Sequence, residues 1–403
     1  MKIFAQQGFA ESDKVKLGFD KNFIDGVIYS PRHTKIDVLK ERLGAYSAGY
    51  PGKELLFDPQ FYASLHADEA DWRMGYLDED YEAYFKCHNK STLERESKVR
   101  ECLANVIKFQ QGQTKLTGII GPNILISRSF DSREAVISKN FIRNTAEVAA
   151  DLKEKRPVYA TLAVSYQALA DRTAFDEFLN EITALETPPD GFYLLISTNG
   201  GDAGEFFSSV TIANWMVLNY SLSLNGFKVI NGYSDILSPL LLSAGGTAGA
   251  TGWFANLRNF SLASFEPPKG GRRPLPRYLS NALLNRITAP ELDQLRNTVP
   301  QILNGLSTDA HYPIADGSIP GETSHEVLQT WESLKNLNGK LSALGMPDRL
   351  RALLKMIDNA ATVYAKISKT VTQLQYGSEH LAEMAEGIYL FARRSTINLE
   401  DVK

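Results

Sequence analysis

The chain has 403 residues, 43% of them hydrophobic and 22% charged, with 43 Lys and Arg against 47 Asp and Glu for a net charge of −4. This is the balance of a globular protein with a large core, and the length exceeds one ordinary core, so one large domain with an appendage, or two domains, is expected. The charge gives no global attraction to nucleic acid or anionic membrane. The two cysteines, Cys87 and Cys102, lack CxxC spacing, which argues against a disulfide framework and against a thiolate zinc site. The opening residues, MKIFAQQGFAESDK, lack a secretory apolar run, and no stretch of about 18 uninterrupted apolar residues occurs; the expectation is a cytoplasmic protein without a membrane span.

Taken in chain order, eight short apolar runs punctuate the first 255 residues: KIFAQQ from Lys2, DGVIYSP from Asp25, ELLFDPQ from Glu54, LTGIIGPNILIS from Leu116, VYATLAVS from Val158, GFYLLIST from Gly191, FKVINGYS from Phe227 and TAGATG from Thr247. Continuous apolar strands of this kind suit a parallel sheet buried on both faces. Helix-like segments separate them, among them Ile36 to Leu43, Ser132 to Lys155, Ala174 to Leu185 and Glu205 to Leu224. Alternating strands and helices predict βαβ units, and the count of eight predicts an α/β fold of the (β/α)8 barrel type, provided KIFAQQ is a strand. Residues 61–115 form a long insertion after the third strand, expected to decorate the barrel mouth. From NFSLASFEPPKGGRRPLPRYLSN onward the chain reads first as an extended arm and then as helix, so residues 1–288 are assigned to the barrel and 289–403 to a helical C-terminal extension.

In a parallel barrel the residues that follow each strand face the ligand site. They are Gln6 after the first run, Arg32 and His33 after the second, Asp58, Gln60 and Tyr62 after the third, and Asn123 in the fourth. Ser165 ends the fifth, Ser197 and Asn199 the sixth, and Asn231 the seventh. Asp58 ends the apolar run LLF, so partial desolvation should raise its pKa toward the range of a general base, or leave it a nucleophile; an Asp-Pro turn with the carboxylate capping the next helix is the structural alternative. Arg32 suits a carboxylate or phosphate clamp, and His33 a proton-transfer partner; a rim salt bridge and a solvated loop residue are their structural alternatives. No HExxH, paired histidines or Cys cluster points to a metal, no cofactor is expected, and neither a Walker A nor a GxSxG pattern occurs.

The segment NGYSDILSPLLLSAGGTAGATGW resembles the closing unit of the phosphate-binding (β/α)8 enzymes, in which glycine turns after strands seven and eight offer backbone N–H groups to a phosphate. The resemblance places Gly232, Tyr233 and Ser234 in the first turn and Gly252, Trp253 and the following Arg258 around the second. Tyr233 and Trp253 are bulkier than that pattern prefers, and the glycines could instead serve helix capping and close packing. DGVIYSPRH, LLFDPQFYAS and GATGWFANLRNF together look like a group of uncharacterised bacterial barrel proteins. At the level of fold the chain is also similar to the tRNA-guanine transglycosylase family, with Asp58 and Asp235 at matching strand ends but without that family's Cys/Cys/Cys/His zinc set.

Within the arm, Lys269, Arg272, Arg273 and Arg277 with Tyr278 form a basic stretch able to meet a phosphate backbone or a protein, or simply to lie solvated on the barrel. The expected function is an enzyme acting at the barrel mouth on a phosphate-bearing or nucleoside-like small molecule. The alternatives are a scaffold or sensor in a multi-protein, nucleic-acid-associated system, docking through the helical tail, and a transglycosylase-like base exchange.

Overall fold

A computed structural model describes residues 1–198, 208–267, 270, 275–312, 323–370 and 373–399. All eight expected runs are strands. In chain order they are β1 (Lys2–Gln6), β2 (Gly26–Tyr29), β3 (Glu54–Phe57), the fourth run split into β4 (Ile119–Ile120) and β5 (Leu125–Ile126), then β6 (Val158–Ser165), β7 (Gly191–Ser197), β8 (Lys228–Asn231) and β9 (Ala248–Thr251). They pair in the order β3-β2-β1-β9-β8-β7-β6-β4, with β5 also on β6, and every pairing is parallel. The two ends meet: Thr117 N donates to Leu55 O and Leu55 N donates to Thr117 Oγ1, both at 2.9 Å. Eight strand positions thus close into a barrel, and strand one is a full member, pairing β2 on one side and β9 on the other.

The helices between the strands are α1 (Lys14–Asp20), α2 (Ile36–Gly49), α3 (Glu96–Gly112), α4 (Arg133–Asp151), α5 (Arg172–Thr183), α6 (Ser209–Leu224) and α7 (Ser238–Ser243). Ser132 and Ser208 cap the N-termini of α4 and α6 through their hydroxyls, which gives two of these helices defined starts. Because α3 packs against α4, it takes the place of the barrel's third helix, and the true mouth decoration is confined to residues 61–95.

The eighth helix position is filled from far along the chain. After β9 comes an antiparallel hairpin, β10 (Arg277–Ser280) and β11 (Asn285–Thr288), where an extended arm was expected, and then a short helix at Ala289–Leu295, where helix was expected. Then α8 (Thr323–Ser342) returns to pack against α1, α7 and β1. Trp331 of α8 is fully buried and its indole N–H donates to Thr251 O at 3.1 Å. Val327, Leu328, Trp331 and Leu334 share one core with Ile3, Phe4 and Ala248. The last two helices, α9 (Met346–Ile367) and α10 (Glu379–Arg394), bury Leu353, Ile357, Met384 and Phe391 with Trp215 and Leu218 of α6. Residues on both sides of position 288 therefore contribute to the same cores, and the buried apolar residues of the tail pack onto the barrel. No helix among the described residues is long and apolar enough to cross a membrane.

Candidate functional site

Asp58 stands at the mouth end of β3 and is 1% exposed. Its Oδ1 accepts from Gln60 N at 2.9 Å, possible because Gln60 takes a left-handed conformation (φ +50) and folds its amide back on the Asp-Pro turn. Its Oδ2 accepts from two phenols, Tyr62 Oη at 2.9 Å and Tyr193 Oη at 3.3 Å. Tyr193 lies on β7, five places from β3 in the sheet order, so this bond crosses the lumen. Burial raises the Asp58 pKa to about 6, against the lowering effect of these three donors. The Tyr62 and Tyr193 phenols are held well above their ordinary range by burial first and by the Asp58 charge second.

Tyr233, after β8, adds a third phenol beside Tyr62 and Gln6, and burial and Asp58 push it upward as well. It holds φ +53, a costly conformation for an aromatic residue. Gln6 Oε1 accepts from Tyr193 Oη at 3.5 Å, while its Nε2 is buried without a well-formed hydrogen bond among the described residues. Arg32 sits on the other side of the tyrosines. Its Nη1 donates to Ser264 O at 2.5 Å, its guanidinium lies 4.4 Å from the Phe265 ring centre, and its backbone N donates to Gln60 Oε1 at 3.1 Å. Burial lowers its pKa to about 10, and no carboxylate among the described residues pairs with it. His33 is held at about 4 by burial and by Arg32, so it is neutral at ordinary pH. No hydrogen bond or ion pair joins Arg32 or His33 to Asp58; the three expected partners share a mouth without touching.

Several expected ligand-binding residues have structural work instead. Asn123 donates to Thr161 O at 2.6 Å and accepts from Ile124 N. Ser165 caps the helix at Tyr166–Ala170 and donates to Ser127 O. Asn231 turns away from the lumen to Trp215 and Asn219 on α6, and Ser197 Oγ donates to its neighbour's carbonyl, Thr198 O. Asn199 falls outside the described residues.

The turns expected to hold phosphate are also engaged internally. Gly232 N donates to Leu194 O, Ser234 N to Ala250 O and Gly252 N to Leu257 O. The glycines serve packing: a Cβ on Gly232 would lie 2.8 Å from the Tyr193 hydroxyl, and one on Gly252 would lie 2.5 Å from Gln6 O. Trp253 is buried with its indole N–H on Phe9 O. Arg258 pairs with Glu326 of α8 in a buried site and donates to the Gly252 and Trp253 carbonyls. Asp235, the second aspartate of the transglycosylase resemblance, is clamped by Arg286 of β11 and by Thr251 Oγ1. Three backbone N–H donors, two glycine contacts and two ion pairs thus hold this rim closed on itself.

Of the basic stretch, Lys269, Arg272 and Arg273 fall outside the described residues. Arg277 donates to Tyr376 Oη at 3.1 Å and Gln375 Oε1 at 3.3 Å, and Tyr278 is buried, so the part that is described faces the chain's own tail.

Beside Tyr62 a cleft of about 390 Å³ opens between the decoration and the ends of β5 and α4. It is lined by Tyr62, His66, His88, Lys90, Ser127 and Glu134, with leucines beneath. Lys90 and Glu134 form an ion pair across it, and His66 stacks on Trp72 at 4.1 Å between ring centres. Sequence reasoning missed Tyr193 because it sits inside an apolar run. The available signal was its hydroxyl, which inside a buried strand requires a partner.

No protein-family model and no curated protein matches the chain. Among solved structures, it is similar to the carboxyl transferase domain from Rhizobium etli pyruvate carboxylase with 3-bromopyruvate, at 10% identity and a TM-score of 0.34, over 100% of this chain and 61% of that one. The same domain with pyruvate gives 11% identity and a TM-score of 0.32, over 100% and 62%. Dihydrodipicolinate synthase from Oceanobacillus iheyensis gives 11% and 0.21, over 98% and 96%. The chain spans about three fifths of the length of the carboxyl transferase chains. Likenesses this distant carry no argument about activity; the barrel rests on the strand order of the chain itself.

Proposed function

We propose that the chain is an enzyme that removes a proton from a small anionic substrate at the barrel mouth, with Asp58 as general base and Arg32 as the anchor for the anion. The observation that carries this reading is the Asp58 carboxyl, wholly buried at a strand's mouth end and held at about 6, where a carboxylate is both available and basic near neutral pH. A role as base fits better than one as nucleophile. Oδ2 already accepts from two phenols, which leaves it little room to bond to carbon, and it holds a transferred proton once one phenol rotates from donor to acceptor. Arg32 supports the anion assignment because a largely buried guanidinium without a carboxylate partner among the described residues is a costly arrangement that a bound anion would relieve. The glycine turns, with their N–H groups engaged, are not part of this proposal.

A two-step experiment tests it. Thermal shift against a panel of small carboxylates and phosphates is expected to find an anion that stabilises the wild type and Asp58→Asn but not Arg32→Ala. That anion, incubated in D2O, should gain deuterium with wild type at least about 100 times faster than with Asp58→Asn. Absence of any stabilising anion, or equal exchange by wild type and Asp58→Asn, would overturn the reading.

A further inference from the structure

A second cleft, of about 410 Å³, opens away from Asp58 where α5, α6 and α10 meet. Arg172, Arg393 and Arg394 line it, together with Asn214 and an apolar wall of Val210, Ala213 and Leu390; no carboxylate among the described residues does. Its volume is within the range of small-molecule sites, and its mixture of apolar wall and convergent cations is that of a site for an amphipathic anion.

The three guanidinium groups are unequally engaged. Arg394 is fixed, donating to Asn214 Oδ1 and to Asp176 Oδ1 at 2.5 Å, with its guanidinium 5.3 Å from the Phe175 ring centre. The same Asp176 lies 3.8 Å from Arg172 Nε, so one carboxylate serves two guanidinium groups. Arg393 meets Glu386 at 2.7 Å in a pair whose members are both exposed, a contact worth little in water. Glu383 is bound to Ser209 N at the start of α6, where the helix dipole offsets its charge. Arg172, at long range from a shared carboxylate, and Arg393, in an exposed pair, are the two loosely held cations among the described residues. Beside them, Val210 is 42% exposed, an apolar surface next to a cationic one.

We propose that this cleft binds a monocarboxylate with a short hydrocarbon body, its head on Arg172 and Arg393 and its chain along Val210, Ala213 and Leu390. The planar guanidinium groups of these two loosely held arginines suit a carboxylate. The wall would recover the burial that its apolar surface lacks.

Isothermal titration of the full chain with sodium octanoate tests this. Saturable binding at one site is expected, weakened at least tenfold in the Arg172→Gln/Arg393→Gln double variant. Octan-1-ol, which lacks the charge, and acetate, which lacks the chain, should each bind at least tenfold more weakly than octanoate. Both substituted side chains are mostly exposed, 73% and 65%, so the variant should keep the wild-type thermal midpoint, which is measured alongside. The proposal is overturned if wild type shows no saturable octanoate binding, if the folded double variant binds unchanged, or if octan-1-ol or inorganic phosphate binds as tightly as octanoate.

Discussion

Asp58 is more costly to keep ionised in the folded chain than in the unfolded one, because burial outweighs its three hydrogen-bond donors. Its folded pKa of about 6 lies above the ordinary 3.8, so folding favours the protonated acid. The stability this contributes is fully present below about pH 4 and is lost as pH rises through 6, and a shift of that size corresponds to at most about 3 kcal/mol. Wild type should therefore lose stability relative to Asp58→Asn between pH 4 and 7, while groups common to both, such as Glu11 held at about 7, cancel in the comparison. Urea unfolding of both proteins across that range measures the difference, and a flat difference would show that Asp58 is not perturbed. At this scale the sequence carried unequal information. Asp58 was legible because a carboxylate directly after LLF must meet the end of a buried strand, and Gln6, Gln60, Tyr62 and Arg32 do lie around it. The glycine turns were ambiguous because glycine admits both an approaching anion and an approaching side chain, and the neighbours of Gly232 and Gly252 include Tyr193, Leu195 and Leu257.

Among elements, α8 has the most unusual origin: it closes the barrel from about 70 residues beyond β9, and two ion pairs pin it. Near the mouth Glu326 meets Arg258, both nearly inaccessible to solvent, while Lys335 meets Asp25 near the opposite end, where both are partly exposed. Removing one partner of the buried pair strands a guanidinium away from water, since the nearby Asp235 is already held by Arg286. Glu326→Gln is expected to cost about 3–5 kcal/mol, whereas Lys335→Ala should cost about 1 kcal/mol or less. Chemical denaturation of both variants distinguishes a helix fixed at its mouth end from one held evenly along its length. Equal losses would remove the distinction. The strands were legible because each is a short, doubly buried apolar run, KIFAQQ included. The eighth helix was not, since hydrophobic period gives a helix's face but not the surface that face covers, and a hairpin intervenes between β9 and α8.

At the scale of the whole molecule, barrel and tail are interdependent. Residues 289–403 supply Trp331, Leu328 and Leu334 to the core beside β1, and Met384, Ile388 and Phe391 to the core over α6. A fragment ending at residue 288 would expose both surfaces, including the outer side of β1, which carries Gln6, and of β9, which lies beside β8 and the Tyr233 turn. It is expected to lose cooperative unfolding and near-ultraviolet circular dichroism while binding a hydrophobic dye, the behaviour of a chain with strands but without fixed packing. Extending the fragment to residue 344 restores α8 and with it Trp331, Glu326 and Lys335, so a cooperative transition should return at a midpoint below that of the full chain, because α6 remains uncovered. Cooperative unfolding of the fragment ending at residue 288, with the aromatic circular dichroism of the intact protein, would show instead that the barrel closes without its eighth helix. The mouth geometry around Asp58 would then be independent of the tail, and the octanoate cleft, which needs α10, could be removed without disturbing it.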